Sequence, residues 1–250
     1  MASENVQNQF EKHYPYELQA VSGPSMVDML QRVGPSFEEV PLIEGESKFV
    51  KPSSLLYQLD GRQKRWDAVE SHDSVGIVVH HKEWKGFLIV RQFRPPVFAA
   101  AWRKLEDGRS GSGSSTTAAP SKDVDMEAGF TFELCAGIID KELSLKGVAS
   151  EEIEEELGYK VIPQDLLPLT SAIASAGTSG SKHYMFYAEV DESMRVGAGG
   201  GLADHGEMIE VLCLPREKAM SFVMDGDLNK SPGLLFGILW ALNHLKGDGA

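Results

Sequence analysis

The sequence has few cysteines, no long apolar run and a shortage of positive charge. Only Cys135 and Cys213 are present. That excludes a disulfide framework, and their separation does not fit a metal-ligand pair, so a reducing compartment, read as cytoplasmic, is expected. No apolar stretch approaches the roughly 20 residues needed to span a bilayer, so no membrane partner is expected. The first residues, MASENVQNQFEKHYPYELQ, carry acids and no apolar segment of the secretory type. Lys and Arg number 24 against 37 Asp and Glu, a net charge of -13. A nucleic-acid backbone is therefore not an expected partner, because phosphate binding needs clustered cations. A small phosphorylated ligand stays possible, since one metal ion can reverse the sign of a local site. What remains is a chain of 250 residues, enough for one large domain or one domain plus an arm.

Residues 1–53 read as an N-terminal arm, with a short amphipathic helix at Met26 to Val33 between Gly and Pro punctuation. Residues 54–246 read as one folded domain. Its strand grammar begins with LLYQLDGRQKRWDAVE, two candidate strands around a DG turn. SVGIVVH and GFLIVRQF follow as a buried hairpin joined by a short polar link. Residues 108–128 are small and polar, and they read as a disordered surface loop inside the domain. FTFELCA (Phe130 to Ala136) reads as one strand. Ser144 is a helix N-cap, Leu145 to Leu157 the helix, and Gly158 its C-terminal stop. Further strands are expected at Leu166–Ile173, His183–Val190 and Met208–Leu214, with GAGGG (Gly197 to Gly201) as a flexible loop. Helices are expected at Pro215–Val223 and Gly233–Leu245. Strands that come mostly as hairpins, interleaved with helices, predict an α+β fold with a mixed sheet between helices.

The chemistry is concentrated in one helix. Glu151, Glu152, Glu154, Glu155 and Glu156 occupy five of six successive positions. Glu152 and Glu156 are one turn apart on one face, with Glu155 beside them, and Ala149, Ile153 and Leu157 form the adjoining apolar stripe. Like charges at that spacing cost a few tenths of a kcal/mol per pair unless a cation compensates them. Several carboxylates on one face suit a hard divalent ion such as Mg²⁺ or Mn²⁺. The plain alternative is a solvated acidic face. What tips the balance is the frame: a strand ending in Ala-Gly, a loop, then the carboxylates, closed by Gly158.

Gly137 followed by Glu152-Ile153-x-Glu155-Glu156-x-Gly158-Tyr159 resembles the signature box of the Nudix hydrolases, which cleave a diphosphate linked to another moiety using Mg²⁺ or Mn²⁺. Leu143 stands where the family has its first box glutamate. Glu151 stands where the family has a basic residue, which implies another cation nearby. The likeness extends from about Tyr57 to Leu245 through QKRWDAVESHDSVGIVV, FLIVRQFRPPVFAA, FELCAGIID, GTSGSKHYMFYAEV and GGGLADHGEMIEV. Together these resemble the UDP-sugar diphosphatase branch, close to the ADP-ribose pyrophosphatases.

The resemblance implies a Nudix-like sheet sandwiched between helices and Mg²⁺- or Mn²⁺-dependent hydrolysis of a nucleotide sugar. It makes Glu152, Glu156 and the Ala136 carbonyl metal ligands, Glu155 an assisting catalytic carboxylate and Glu207 a candidate base. Arg94 would contact the phosphates, Glu133 would shape the substrate site, and Gly180 would lie in a substrate-side loop (GTSG). Trp66 would stack on the nucleobase, possibly from a second subunit, since relatives are dimers with exchanged N-terminal arms. Hydrolysis of ADP-ribose and a nucleotide-binding module with weak catalysis stay open as alternatives. His72, His183 and His205 lack metal-pair spacing and read as structural or incidental.

Overall fold

The computed structural model describes residues 13–33, 37–43, 45–109 and 125–247. Its centre is a mixed sheet built around β4 (Ser74–His81) and β5 (Gly86–Phe93). Both are nearly continuous apolar runs because both faces of the sheet are covered. Val75, Ile77 and Val79 of β4 pack to one side and Val78 to the other; in β5 Leu88 and Val90 alternate with Phe87 and Ile89. In order along the sheet lie β1 (Gln19–Ser22), β10 (Ile209–Pro215), β5, β4, β9 (Ser179–Val190) and β8 (Leu167–Ser175). The β4–β9 pairing is parallel and the others are antiparallel, so the sheet is mixed, as expected for an α+β chain.

The β4–β5 hairpin is paired only near its turn, Val79 to His81 against Leu88 to Gly86. Beyond that the two strands part. Into the gap run β6 (Phe130–Glu133), paired to β5, and β7 (Cys135–Ile138), paired to β4. The single strand expected from FTFELCA is therefore two, broken at Leu134. Each half belongs to a different neighbour, and that is a tertiary fact with no local signal.

Helices cover both faces. On one side α3 (Leu145–Glu152) buries Val148 and Ala149, and its last turn, Ile153–Leu157, continues as a π-turn. On the other, α4 (Arg216–Met224) and α5 (Pro232–Gly247) bury Phe222, Leu234, Ile238 and Ala241. Ser144 caps α3 by accepting the Gly147 N–H at 3.1 Å. Gly158 closes it at φ 81, the left-handed region where a side chain costs energy.

The structure adds two elements to those expected from the sequence. Residues Gln19–Ser22, inside the segment read as an arm, form edge strand β1, and α1 (Met26–Arg32) follows with Ser25 in a capping box with Asp28. A helix unexpected from sequence, α2 (Pro95–Arg109), begins directly after β5 and extends into the start of the 108–128 segment. Its Pro-Pro start fits a first helical turn, whose N–H groups lack partners anyway. Phe98 and Trp102, one turn apart, are its buried anchors. The rest of that segment up to residue 124 lies outside the described residues, and Met126–Gly129 forms a 3₁₀ turn.

A separate two-stranded ribbon, β2 (Lys51–Leu59) and β3 (Arg62–Glu70), stands off the main sheet. Asp60 and Gly61 make its turn with φ 52 and 71, both left-handed, as the DG signal implies. No helix among the described residues is long and apolar enough to cross a membrane.

Candidate active site

The fork between β4 and β5 presents the backbone of β7 to the last turn of α3. The Ala136 N–H donates to Glu156 Oε2 at 3.0 Å. Glu156 is buried, and burial together with the Glu152 carboxylate pushes its pKa up to about 8. Glu152 is raised to about 7, chiefly by burial and then by Glu155. Gly137 makes room for it: a Cβ there would overlap the Glu152 carboxylate. The neighbouring Cys135 thiol is wholly buried, and burial pushes its pKa well above the ordinary value.

The π-turn over Ile153–Leu157 widens the helix where these acids leave it, and such turns concentrate at functional sites. It also frees carbonyls, and the GAGGG segment takes them. Gly200 N–H donates to the Glu156 carbonyl at 2.7 Å and Gly201 N–H to the Glu155 carbonyl at 3.2 Å. Gly199, Gly200 and Gly201 have φ of 68, 99 and 80, and a Cβ on Gly199 would lie 2.5 Å from the Glu156 carbonyl oxygen. This corrects the expectation of a flexible loop. The glycines are there because backbone must approach backbone, and their hydrogen bonds pin the segment to the last turn after α3. The chain then delivers Glu207, whose Oε2 accepts the Leu202 N–H at 2.9 Å.

Arg94, at the junction of β5 and α2, forms a two-pronged pair with Glu133. Nε donates to Oε1 and Nη2 to Oε2, each at 2.8 Å. Burial would raise Glu133, but the Arg94 bonds outweigh it and hold the carboxyl below its ordinary value. Thr131 Oγ1 donates to the same carboxylate at 2.5 Å.

One cavity of about 1200 Å³ gathers Arg94, Glu133, Ala136, Glu152, Glu155, Glu156 and Glu207. Residues separated by more than a hundred positions thus share one wall. Two other candidates are not among the residues lining it. Trp66 lies on the outlying ribbon and donates from Nε1 to the Gly177 carbonyl at 2.9 Å. Gly180 is at the start of β9, with nothing within 4 Å of a Cβ built there. The cavity also takes in Lys141 and Phe236, to which sequence reasoning gave no role, and His183, which it read as structural or incidental. Lys141 Nζ is 2.8 Å from Glu151 Oε2 and 3.7 Å from Glu155 Oε1, so it supplies the cation that Glu151 called for. Its position in the loop between Gly137 and α3 was the available signal.

Among the described residues no three His, Cys, Asp or Glu side chains already stand in a ligand cluster. The donor chemistry nevertheless fits a divalent cation. Two carboxylates are enclosed at a cost that pushes both pKa values upward, and a hard cation with oxygen ligands offsets that cost. Further oxygens lining the same cavity belong to Glu155 and to the Ala136 backbone.

No family model matches the chain. It is 41% identical over 196 residues to uridine diphosphate glucose pyrophosphatase NUDT14 of Bos taurus, a match covering 78% of this chain and 88% of that protein. It is 38% identical over 206 residues to the Mus musculus protein of the same name, with 80% and 90% covered. A GDP-mannose pyrophosphatase of Escherichia coli O1:K1 is 33% identical over 184 residues, covering 74% of this chain and 81% of that one.

Proposed function

The chain belongs to the Nudix hydrolases, in their UDP-sugar diphosphatase branch, and on that premise we propose that it hydrolyses the diphosphate of UDP-glucose to UMP and glucose 1-phosphate. The observation that carries the reading is the enclosure of Glu152 and Glu156 beside Ala136 in the same cavity as Glu207 and the Arg94–Glu133 pair. The sheet between α3 and the α4–α5 pair is read as a Nudix fold, with residues 54–246 as the hydrolase domain.

Each residue has a task. Glu152, Glu156 and the Ala136 carbonyl would hold a divalent cation, Mg²⁺ or Mn²⁺, with Glu155 assisting. Such a cation neutralises diphosphate charge and stabilises the leaving phosphate. Arg94, oriented by Glu133, sets a guanidinium against the phosphate oxygens, the fork geometry that recognises them best. Glu207 accepts a proton from the attacking water. The water oxygen bonds to one phosphorus as the bridging P–O bond breaks, and the bridging oxygen leaves with the other phosphate. The two cysteines are free thiols, in keeping with a cytoplasmic setting.

A homodimer fits the outlying ribbon. A two-stranded ribbon by itself is marginal in water, and this one is tied to the β8–β9 turn through the Val69 N–H to the Thr178 carbonyl at 2.7 Å and Trp66 to Gly177. This one exposes Leu55, Leu56, Tyr57, Leu59 and Trp66. In antiparallel register Leu55 faces Trp66 and Tyr57 faces Lys64, so Leu55, Tyr57, Leu59 and Trp66 share one face. A second copy would bury that face and could bring its Trp66 to the neighbouring cavity as the nucleobase platform, with the N-terminal segments exchanged.

The test is turnover of UDP-glucose with Mg²⁺ by wild type and by Glu156→Gln. The variant should lose at least about 100-fold in kcat; equal metal-dependent rates would remove Glu156 from the machinery. Activity on ADP-ribose, measured side by side, separates the neighbouring specificity: a higher kcat/KM for ADP-ribose would transfer the assignment.

A further inference from the structure

Part of the cavity wall is not used by the hydrolytic residues. It is formed where β4 and β9 run parallel and where α5 begins. His183 and Ser74 are register partners there, and His183 Nδ1 lies 2.8 Å from Ser74 Oγ. The imidazole sits in a slot that two glycines keep open. A Cβ on Gly76 would collide with His183 Nε2, and a Cβ on Gly233 would lie 3.1 Å from it. Nothing about the backbone requires glycine at either position, since neither has a left-handed φ; the ring itself does.

His183 lines the cavity, and no hydrogen-bond partner for its Nε2 occurs among the described residues. Burial lowers its pKa, which favours the neutral ring. Ser74 Oγ and His183 Nδ1 share one hydrogen bond, so Nε2 is the ring nitrogen left for a ligand, as donor or acceptor according to the tautomer. Three residues along α5 from Gly233, Phe236 lines the same cavity with 44% of its surface exposed. An aromatic side chain left in contact with solvent beside uncharged hydrogen-bonding groups suits a particular ligand. A phosphate would call for a cation, and among the described residues this part of the wall has none. A nucleobase edge would call for paired amide-like groups. A hexose offers an apolar C–H face and neutral hydroxyls, which this wall matches.

Resting on the reading of the chain as a nucleotide-sugar hydrolase, we infer that His183, oriented by Ser74 and flanked by Phe236, binds the hexose of the substrate. His183 Nε2 hydrogen-bonds a sugar hydroxyl, and Phe236 covers the C–H face. Ser74 is a positioning residue.

The experiment compares two ligands that share the uridine diphosphate and differ in the sugar. KM and kcat are measured for UDP-glucose, and Ki for UDP methyl ester as a competitive inhibitor of that turnover, in wild type, His183→Ala, Ser74→Ala and Phe236→Ala. Thermal unfolding checks folding, and half-exposed Phe236 keeps the test open should His183→Ala fold poorly. In His183→Ala and Phe236→Ala, KM for UDP-glucose should rise about 10-fold, the loss of roughly one good contact, with kcat nearly kept and Ki for the methyl ester unchanged. Ser74→Ala should shift the same way by less. An unchanged KM for UDP-glucose, or equal losses for both ligands, overturns the hexose site while the hydrolase reading stands. A wild type that does not turn over UDP-glucose overturns both.

Discussion

Lys141 and Glu151 form an ion pair at the rim of the cavity, Nζ to Oε2 at 2.8 Å, and the same ammonium is 3.7 Å from Glu155. The box of the family carries a cation at the position of Glu151. Here the charge is reversed on the helix and the cation comes from the preceding loop. Both partners are about half exposed, so the pair adds little stability, on the order of 0–1 kcal/mol. Its effect is to fix the direction of Glu155. Lys141→Met should leave the melting temperature nearly unchanged and weaken the apparent affinity for activating metal about 10-fold, read from the metal dependence of UDP-glucose turnover. Lys141→Arg should recover most of it.

Gly137 separates activity from stability. A Cβ there meets the far end of the Glu152 side chain, not backbone. The side chain can move aside, so Gly137→Ala should fold with stability within about 1 kcal/mol of wild type. The displaced carboxylate should nevertheless lower kcat by about 100-fold, the cost of an ångström of misplacement. Urea unfolding alongside steady-state kinetics reads both quantities.

Gly199 behaves in the opposite way. It has φ 68, and its Cβ would lie 2.5 Å from the Glu156 carbonyl oxygen, which is backbone and cannot yield. Gly199→Ala should cost more than about 1 kcal/mol and lower the melting temperature by several degrees. Activity should fall with it, because the pinned segment carries the chain toward Glu207. A melting temperature equal to wild type would show that the contact is dispensable.

Arg91 and Glu210 are both buried, with Nε donating to Oε2 at 2.8 Å. Glu210 also accepts the Tyr14 hydroxyl at 2.8 Å and the Met26 N–H at 3.2 Å, so the pair anchors the N-terminal segment to β5 and β10. Removing one partner strands a buried charge. Arg91→Met should destabilise by about 3–5 kcal/mol, whereas Arg91→Met with Glu210→Leu should recover part of that loss. Chemical denaturation of the three variants gives the comparison.

His80 and His81 link stability to pH. Burial lowers both pKa values below the ordinary histidine value, more than Glu189 and Glu192 raise them. His81 accepts the Trp84 backbone N–H on Nδ1 at 3.2 Å and stacks on the Trp84 indole with ring centroids 3.8 Å apart, an arrangement that holds for the neutral ring. With folded pKa values below the unfolded value of about 6.5, the unfolded chain binds more protons in the interval between them. Stability is therefore present above that pH and is lost as pH falls through it. Thermal melts from pH 7.5 to 5.5 should show the decline, and His81→Gln should flatten it.

Much of this was legible locally. The DG turn, the continuous apolar runs of β4 and β5, the Ser144 cap and the Gly158 stop are short-range physics, and the structure has all of them. The acidic helix face followed from 3.6-residue periodicity alone. The helix α2 was missed because Pro95-Pro96 reads as a break, although Phe98 and Trp102 carry helical spacing.

What only the tertiary structure decided is of another kind. Whether FTFELCA is one strand or two depends on a fork that β4 and β5 open far away in sequence. Whether GAGGG is loose or pinned depends on which carbonyls lie within reach of its N–H groups. Whether His183 is incidental depends on Gly76 and Gly233 leaving a slot beside it. Periodicity and turn chemistry act over a few residues, so the sequence by itself determined the elements and the residue types that bear the chemistry. Side chains more than a hundred positions apart meet only when the sheet closes, so the shared cavity, the Lys141 cation and the hexose wall were decided by packing.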